Sequence, residues 1–225
     1  MESEERPVLV GYSYPKMEYG GHTYCGFLED PWFMEMAGLL DPKTALPIEC
    51  LWMICQCIRQ CSNLEGDFSE CGVDRGGSAK LIAEILKGGR QLHLFDTFSG
   101  MPEPDPEHDW HLRGDFSTTS LDEVMDFVGR DDNIRYHPGV IPHSFAWLGA
   151  LSFSFVHLDL DLYRSTLDAL NFFYPRMVRG GIIVLDDYAR PTTQGVKDAV
   201  NEFLAIKPEF ALPVLHTSQA LVVKL

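Results

Sequence analysis

The chain alternates short apolar runs with longer segments in which apolar residues recur every three or four positions. Short runs bounded by glycine or acidic residues predict strands, and the longer periodic segments predict amphipathic helices. The run G-G-I-I-V-L-D-D is almost continuously apolar, which is typical of a strand buried on both faces of a sheet. From residue 67 onward the pattern predicts strands at 67–73, 91–96, 134–139, 152–161, 180–187, 210–216 and 219–225, and helices at 78–87, 120–128, 165–174 and 194–206.

Strands and helices that alternate at this spacing predict an open, mainly parallel α/β sheet with helices on both faces. The dipeptide S-Q between the last two strands predicts a tight antiparallel hairpin at one edge. Two further helices are predicted at 31–41 and 47–62, and Pro47 suits the first turn of the second. We therefore expect one α/β domain, in which residues 1–63 form an N-terminal arm with helices (a lid or oligomer contacts) and residues 64–225 form the core.

The charge of the chain excludes polyanionic partners. The 225 residues include 33 acidic and 18 basic side chains, which gives a formal net charge of −15. A field of that sign repels phosphate backbones, so we expect no nucleic-acid binding. No segment approaches the roughly 18 consecutive apolar residues of a membrane helix, and the start M-E-S-E-E-R-P lacks the apolar core of a secretory signal. We expect a cytoplasmic protein that does not bind membranes.

Four of the six cysteines fall between residues 50 and 61 with the spacing C-x4-C-x-C-x3-C. A zinc or iron–sulfur site is one interpretation, but no C-x2-C pair and no second cluster accompany it. The segment is predicted to be helical, where cysteine acts as a small buried hydrophobe. We therefore favour free, buried thiols.

The loop after the first predicted strand carries the first sign of a ligand site. It reads E-C-G-V-D-R-G-G-S, so glycines allow close approach of a ligand and the next helix presents free N–H groups. It matches neither the dinucleotide pattern G-x-G-x-x-G nor a phosphate loop. The second strand ends at Asp96, 20 residues after Gly76, where a carboxylate can accept hydrogen bonds from a ribose. Together these features predict an adenosine-bearing cofactor.

Acidic residues gather where the fourth and fifth strands are predicted to end. The two-residue period of a strand places His157, Asp159 and Asp161 on one face, and the fifth strand ends in Asp186 and Asp187. Neighbouring parallel strands would bring Asp159, Asp186 and Asp187 to the same sheet edge. Carboxylates at that density repel one another unless a hard divalent cation binds them. The alternative is that these acids cap helices or bind a ribose.

A competing interpretation uses His157, Asp159 and His216 as the H-x-D…H facial triad of an iron(II)/2-oxoglutarate-type oxygenase. That triad normally occurs in an antiparallel double-sheet barrel. The alternation of strands and helices in this chain favours the open α/β sheet instead.

The motifs E-C-G-V-x-R-G-G-S, D-T-F-x-G-M-P-E-P-D, H-L-D-x-D-L-Y-x-S-T and G-G-x-I-x-x-D-D-Y resemble those of the macrocin O-methyltransferase family, in order and spacing, from about Gly66 to Phe203. The resemblance implies a Rossmann-like class I methyltransferase fold with a seven-stranded sheet. It also implies S-adenosylmethionine and Mg²⁺ as cofactors, and a sugar hydroxyl of an antibiotic-like natural product as the acceptor. A homodimer or higher oligomer is implied as well.

The resemblance also assigns roles to individual residues. Asp159, Asp186 and Asp187 match the magnesium ligands, and Asp161 matches the general base. The sequence departs from the family at Asp74, where tryptophan is usual, and in the stretch 139–142; both regions face the acceptor in such folds. The cofactor-binding residues implied by the resemblance are Glu70, Gly72, Gly76, Gly77, Ser78, Asp96, Thr97, Phe98, Gly100 and Met101.

These roles predict transfer of the sulfonium methyl group in line to an acceptor oxygen. Chelation of two hydroxyls by the metal would lower the pKa of the acceptor, and Asp161 could then take its proton. A catechol or phenol acceptor is the main alternative, because catechol enzymes share E-x-G-x3-G-x-S and a metal site of two Asp and one Asn, whereas the third ligand here is Asp. A non-catalytic cofactor-binding protein is the alternative from another class.

Overall fold

The computed structural model describes residues 26–87, 89–146 and 148–225. The expectation that residues 1–63 form a lid or oligomer contacts falls in part on residues 1–25, which lie outside the described residues. The strands are β1 (Asp67–Cys71), β2 (Leu92–Asp96), β3 (Ile134–Pro138), β4 (Phe153–Leu158), β5 (Met177–Leu185), β6 (Leu212–Pro213) and β7 (Ala220–Val223). The helices are α1 (Pro31–Leu40), α2 (Ile48–Cys61), α3 (Gly77–Leu86), α4 (Leu121–Val128), α5 (Tyr163–Phe173) and α6 (Gln194–Leu204).

The strands form one seven-stranded sheet in the order β3-β2-β1-β4-β5-β7-β6. The first five strands are parallel to their neighbours, and β7 and β6 add antiparallel strands at one edge. The predicted fold class, a mainly parallel α/β sheet with an antiparallel C-terminal hairpin, is confirmed. Because the crossovers run in opposite directions from β1 and β4, a crevice opens between the carboxyl ends of these two strands.

Helices cover both faces of the sheet, and the second half of β5 is buried without interruption. Ile182 and Val184 point into a core shared with α1, α2, α3 and α4. Ile183 and Leu185 point into a second core shared with α5 and α6. The strand is therefore buried on both faces, which explains its nearly continuous apolar sequence.

Each helix begins within two residues of its predicted start. Asp30 caps α1 by accepting a hydrogen bond from Phe33 N at 2.9 Å. Ser120 caps α4, and its hydroxyl contacts both the backbone N and the carboxylate of Glu123, as the capping-box spacing predicts. Pro47 stands one residue before α2, at the cap position and not within the first turn.

The C-terminal hairpin differs from the prediction: its strands are shorter and its turn is longer. β6 contains only Leu212 and Pro213, because proline has no N–H to extend the ladder. The turn spans residues 214–219, closes through a hydrogen bond from Val214 N to Gln219 O at 2.9 Å, and contains His216 with φ of +67°.

The described cysteines of α2 are free and buried, as expected. Burial raises the pKa of Cys57 to about 12 and that of Cys55 to about 11, so these thiols stay protonated. Within the described residues, no helix has both the length and the apolar character needed to span a bilayer.

Candidate active site

A cleft lies at the carboxyl ends of the parallel strands, where the crevice between β1 and β4 opens. The space between its walls amounts to about 1050 Å³, including its solvent-open mouth. The loops after β1, β2, β3, β4 and β5 all contribute to its walls. Among the residues proposed from sequence, the lining includes Gly72, Gly77, Ser78, Asp96, Thr97, Gly100, Met101, Asp159, Asp161 and Asp186.

The glycine loop after β1 brings the two central strand ends together. Gly72 has φ of +87°, and a Cβ there would lie 1.6 Å from the backbone oxygen of Asp159. Asp159 N also donates to Cys71 O at 2.9 Å. Only glycine fits at this contact, so its role here is close packing of the strand ends as well as an open wall for a ligand.

Gly76, which the resemblance assigns to the cofactor, is not among the residues that line the cleft. A Cβ on Gly76 would meet Val128 Cγ2 at 2.8 Å, on the side of α4. Gly77 and Ser78 begin α3 and do reach the cleft. The free N–H groups of the first turn of α3 therefore supply this wall.

Asp96 is held rigidly at the end of β2. Its Oδ2 accepts hydrogen bonds from Val73 N at 2.7 Å and Asp74 N at 3.0 Å, and its Oδ1 accepts one from Phe98 N at 2.7 Å. Thr97 Oγ1 donates to Gly100 O at 2.6 Å and shapes the same loop. The carboxylate is therefore fixed in the cleft wall by backbone donors from two loops.

Besides Gly76, two residues assigned to the cofactor do not line the cleft. Phe98 is 7% exposed and packs into the core below α4. Glu70 is fully buried and its Oε1 lies 2.8 Å from Nδ1 of His157.

Carboxylates from the ends of β4 and β5 converge on the opposite side of the cleft. One oxygen from each of Asp159, Asp161 and Asp187 lies within 4.8 Å of the others. β4 ends at Leu158, and Asp161 has φ of +58°, so strand alternation does not place Asp161; a left-handed turn does. Burial, and then the neighbouring carboxylates, raise the pKa values of Asp159 and Asp187 well above the ordinary range.

Asp186 belongs to a buried polar chain beside this cluster. Its Oδ1 accepts a hydrogen bond from Gln219 Nε2 at 2.8 Å and lies 3.8 Å from His157 Nε2. Burial alone would lower the pKa of His157, but the carboxylates of Asp186 and Glu70 outweigh it and raise that pKa to about 9. The ring of His157 therefore lies between two buried carboxylates, with Nδ1 2.8 Å from Glu70 and Nε2 3.8 Å from Asp186.

Sequence reasoning missed two cationic or ionisable side chains at the acid cluster. His111 Nε2 lies 3.8 Å from Asp161 Oδ1, and its Nδ1 lies 3.1 Å from Asp115. Arg190 Nε lies 3.4 Å from Asp187 Oδ1. Arg190 follows Asp187 by three residues, so the sequence contained a signal for it, whereas His111 arrives on a long loop whose path the sequence does not predict.

The residues present fit both groups that the sequence predicted. Buried Oδ2 atoms of Asp186 and Asp187 have no hydrogen-bond partner among the described residues. Free carboxylate oxygens beside a cluster of three acids are the donor set that a hard divalent cation prefers. On the other wall, helix N–H groups and the fixed carboxylate of Asp96 suit a polar cofactor that carries a ribose.

The facial triad of an oxygenase is not assembled. His157 is fully buried and pairs with Glu70, whereas His216 is exposed in the hairpin turn. Across residues 26–87, 89–146 and 148–225, the acid cluster is the one group of three or more potential metal ligands with the required proximity.

The sheet order, the cleft and its glycine loop are those of a class I methyltransferase. The structure of the O-methyltransferase NovP superposes with a TM-score of 0.72 at 26% sequence identity, covering 81% of this chain and 82% of that one.

The chain belongs to the macrocin-O-methyltransferase family, whose model matches residues 49–214. Demethyldecarbamoylnovobiocin O-methyltransferase of Streptomyces niveus is 30% identical over 182 residues, which are 73% of this chain and 69% of the relative. The 4'-O-methyltransferase of Streptomyces olivaceus that acts on 8-demethyl-8-(2,3-dimethoxy-alpha-L-rhamnosyl)-tetracenomycin-C is 32% identical over 61% of this chain. The match spans 58% of that relative's length.

Proposed function

We propose that this protein is an S-adenosylmethionine- and Mg²⁺-dependent O-methyltransferase that methylates a hydroxyl of a small natural-product acceptor, on a sugar moiety. The observation that carries the proposal is the pairing, across one cleft, of a nucleotide-type wall at Asp96 with the acid cluster of Asp159, Asp161 and Asp187. A methyl donor and a metal-bound acceptor need this arrangement, because transfer requires the two reactants to be held in line.

Asp159, Asp186 and Asp187 are the proposed metal ligands. The buried, unpartnered Oδ2 atoms of Asp186 and Asp187 support this assignment, as does the proximity of Asp159 and Asp187. A divalent cation held there would lower the pKa of an acceptor hydroxyl. Asp161, which lines the cleft, is the proposed general base that takes the proton of this hydroxyl at a carboxylate oxygen.

The acceptor wall supports a substrate with an apolar part beside its hydroxyls. Phe116 and Val140 line the cleft and are nevertheless 47% and 42% exposed, so apolar surface is available at its mouth. By their names, one of the two relatives acts on a rhamnosyl tetracenomycin and the other on demethyldecarbamoylnovobiocin. Both observations favour a glycoside with an apolar aglycone.

A catechol or phenol acceptor is the runner-up, because the same cleft could hold two vicinal hydroxyls on a ring. Calorimetry with S-adenosylhomocysteine and turnover with S-adenosylmethionine, each with and without Mg²⁺, against a panel of glycosides and catechols separates the readings. We expect cofactor binding in both conditions and methylation of a glycoside only with Mg²⁺.

Transfer to catechols alone would overturn the sugar assignment. Two results together would favour a non-catalytic binding protein. One is cofactor binding without turnover on any acceptor, and the other is an Asp187→Asn variant that binds the metal as tightly as the wild type. Asp132→Asn, which removes an equal charge at an exposed position, is the matched control.

A further inference from the structure

Gln219 carries a fully buried amide where the C-terminal hairpin meets the chain after β5. Its Nε2 donates to Asp186 Oδ1 at 2.8 Å and to Cys50 O at 3.4 Å. Both partners are oxygen acceptors, so the nitrogen of the amide must face them. Its Oε1 is buried and has no hydrogen-bond partner within the part of the chain that the structure describes. Hydrophobic packing alone does not explain glutamine here, because an apolar side chain would avoid that desolvation cost.

The backbone fixes this amide opposite Asp186. Leu185 pairs with Ala220 in the antiparallel ladder of β5 and β7, so Asp186 and Gln219 are the next residues to face each other. Ala189 N also donates to Ser218 O at 2.8 Å. Backbone contacts on both sides of the Asp186–Gln219 pair therefore join the hairpin turn to the segment that carries Asp186 and Asp187.

The contact divides the two oxygens of Asp186 between different tasks. Its Oδ1 is held by Gln219 and lies 3.8 Å from His157 Nε2. Its Oδ2 is buried and unpartnered, and the residue lines the cleft. A carboxylate with one anchored oxygen and one free oxygen offers a single ligand atom in a fixed direction, and such outer hydrogen bonds are known to tune metal affinity.

We propose that Gln219 is a positioning residue for the metal site: it fixes the rotamer of Asp186 so that Oδ2 faces the ion, and it thereby sets the affinity for the ion. The inference rests on the proposed function, because it takes Asp186 as a metal ligand. Gln219 lies beyond residues 49–214, the range matched by the family model.

The variant Gln219→Met tests this, because it keeps the length of the side chain and removes the amide. We expect Mn²⁺ affinity, measured by electron paramagnetic resonance, to fall about 10- to 100-fold. The KM for Mg²⁺ should rise while kcat at saturating metal changes little, and S-adenosylhomocysteine affinity should stay within about twofold. Gln91→Met is the matched control, since Gln91 is a partly buried glutamine just before β2, at the amino end of the parallel strands and away from the cleft.

A second measurement keeps the test decisive if Gln219→Met fails to fold. In the wild-type protein, the side-chain amide resonance of Gln219 should shift on titration with Mg²⁺, and that of Gln91 should not. If Gln219→Met does fold, the double variant Asp186→Asn/Gln219→Met gives a third measurement: the Gln219 substitution should add no further loss of metal affinity to that of Asp186→Asn.

The outcomes separate the two claims. A wild-type protein that binds no Mn²⁺ would overturn the proposed metal site itself. Wild-type binding with equal affinity in Gln219→Met, or with an equal loss in Gln91→Met, would overturn the role of Gln219 alone. An unshifted Gln219 amide during Mg²⁺ binding would do the same.

Discussion

The two walls of the cleft differ in how fully the protein satisfies their polar groups. On the cofactor wall, Asp96 accepts three backbone hydrogen bonds between 2.7 and 3.0 Å. On the acid wall, Asp186 and Asp187 each keep a buried oxygen without a hydrogen-bond partner in the described residues. The protein itself thus supplies hydrogen-bond partners for the carboxylate of the cofactor wall. On the acid wall, a bound cation would supply the partner that the free carboxylate oxygens lack.

The difference follows from the donors that each wall can reach. Asp96 follows a strand end flanked by two loops whose N–H groups point at it, so its charge is stabilised by neutral dipoles. The acids after β4 and β5 lie beside one another. The guanidinium of Arg190 lies 3.4 Å from Asp187, and the imidazole of His157 lies 3.8 Å from Asp186. Buried like charges raise one another's pKa, so this wall carries electrostatic strain that the first does not.

The largest expected effect is removal of the metal. Treatment with EDTA should abolish turnover while S-adenosylhomocysteine affinity, measured by calorimetry, changes less than about twofold, because the walls are built from different strand ends. Asp187→Asn should weaken Mn²⁺ binding in the same direction by removing one formal charge. Asp132→Asn should change neither quantity. Full activity in EDTA would remove the metal from the mechanism, and loss of cofactor together with the metal would contradict the independence of the walls.

Asp161→Asn should have the next largest effect. We expect kcat to fall by about 10²–10⁴, the usual contribution of a general base, with metal and cofactor affinity nearly unchanged. Single-turnover kinetics measures the chemical step apart from product release. A wild-type rate would exclude Asp161 as the base. A large loss of Mn²⁺ affinity would instead identify Asp161 as a metal ligand. Its carboxylate lies close enough to those of Asp159 and Asp187 to share an ion with them.

Asp96→Asn should weaken cofactor binding and leave metal binding unchanged, the reverse of the effect expected for metal removal. The amide nitrogen that replaces one carboxylate oxygen cannot accept hydrogen bonds from Val73 N and Asp74 N, or from a ribose. Hydrogen bonds to charged groups are worth about 1.5–3 kcal/mol, so S-adenosylhomocysteine affinity should fall about 10- to 100-fold. Mn²⁺ affinity should stay within about twofold. Equal losses of both affinities would show that the two walls act as one unit.

The sequence predicts the fold and the gathering of the acids because both follow from local patterns. Alternating strands and helices determine a parallel sheet, and parallel strands deliver Asp159 and Asp187 to one edge. A glycine motif does not reveal which side of its loop faces a ligand, so the sequence could not show that a Cβ on Gly76 would point toward α4.

The contacts of Gln219 and His111 could not be predicted, because they depend on long-range geometry. Gln219 meets Asp186 through the register of β5 and β7, and the predicted turn between the last strands was shorter than the one observed. His111 reaches Asp161 through the path of the long loop after β2. Neither the register of a distant hairpin nor the path of a long loop is encoded in a short sequence motif.

The smallest expected effect concerns acid stability below the cofactor wall. β2 carries His93 as well as Asp96, and His93 Nδ1 lies 3.0 Å from Nε2 of His137 on β3. Burial lowers the pKa of His93, and it lowers that of His137 to about 4 from the ordinary 6.5. Between pH 6.5 and pH 4, His137 binds a proton in the unfolded chain but not in the folded chain. Its contribution to the free energy of unfolding is therefore fully present above pH 6.5 and is lost as the pH falls toward 4.

Thermal unfolding between pH 7 and pH 5 measures this loss. We expect His137 to contribute about 1 kcal/mol, discounted because it is partly exposed, which corresponds to about 2–4 °C in Tm for a chain of this size. His137→Phe should have a shallower dependence of Tm on pH than the wild type, and the exposed His143→Asn should keep the wild-type dependence. An unchanged slope in His137→Phe would exclude the pair as the source.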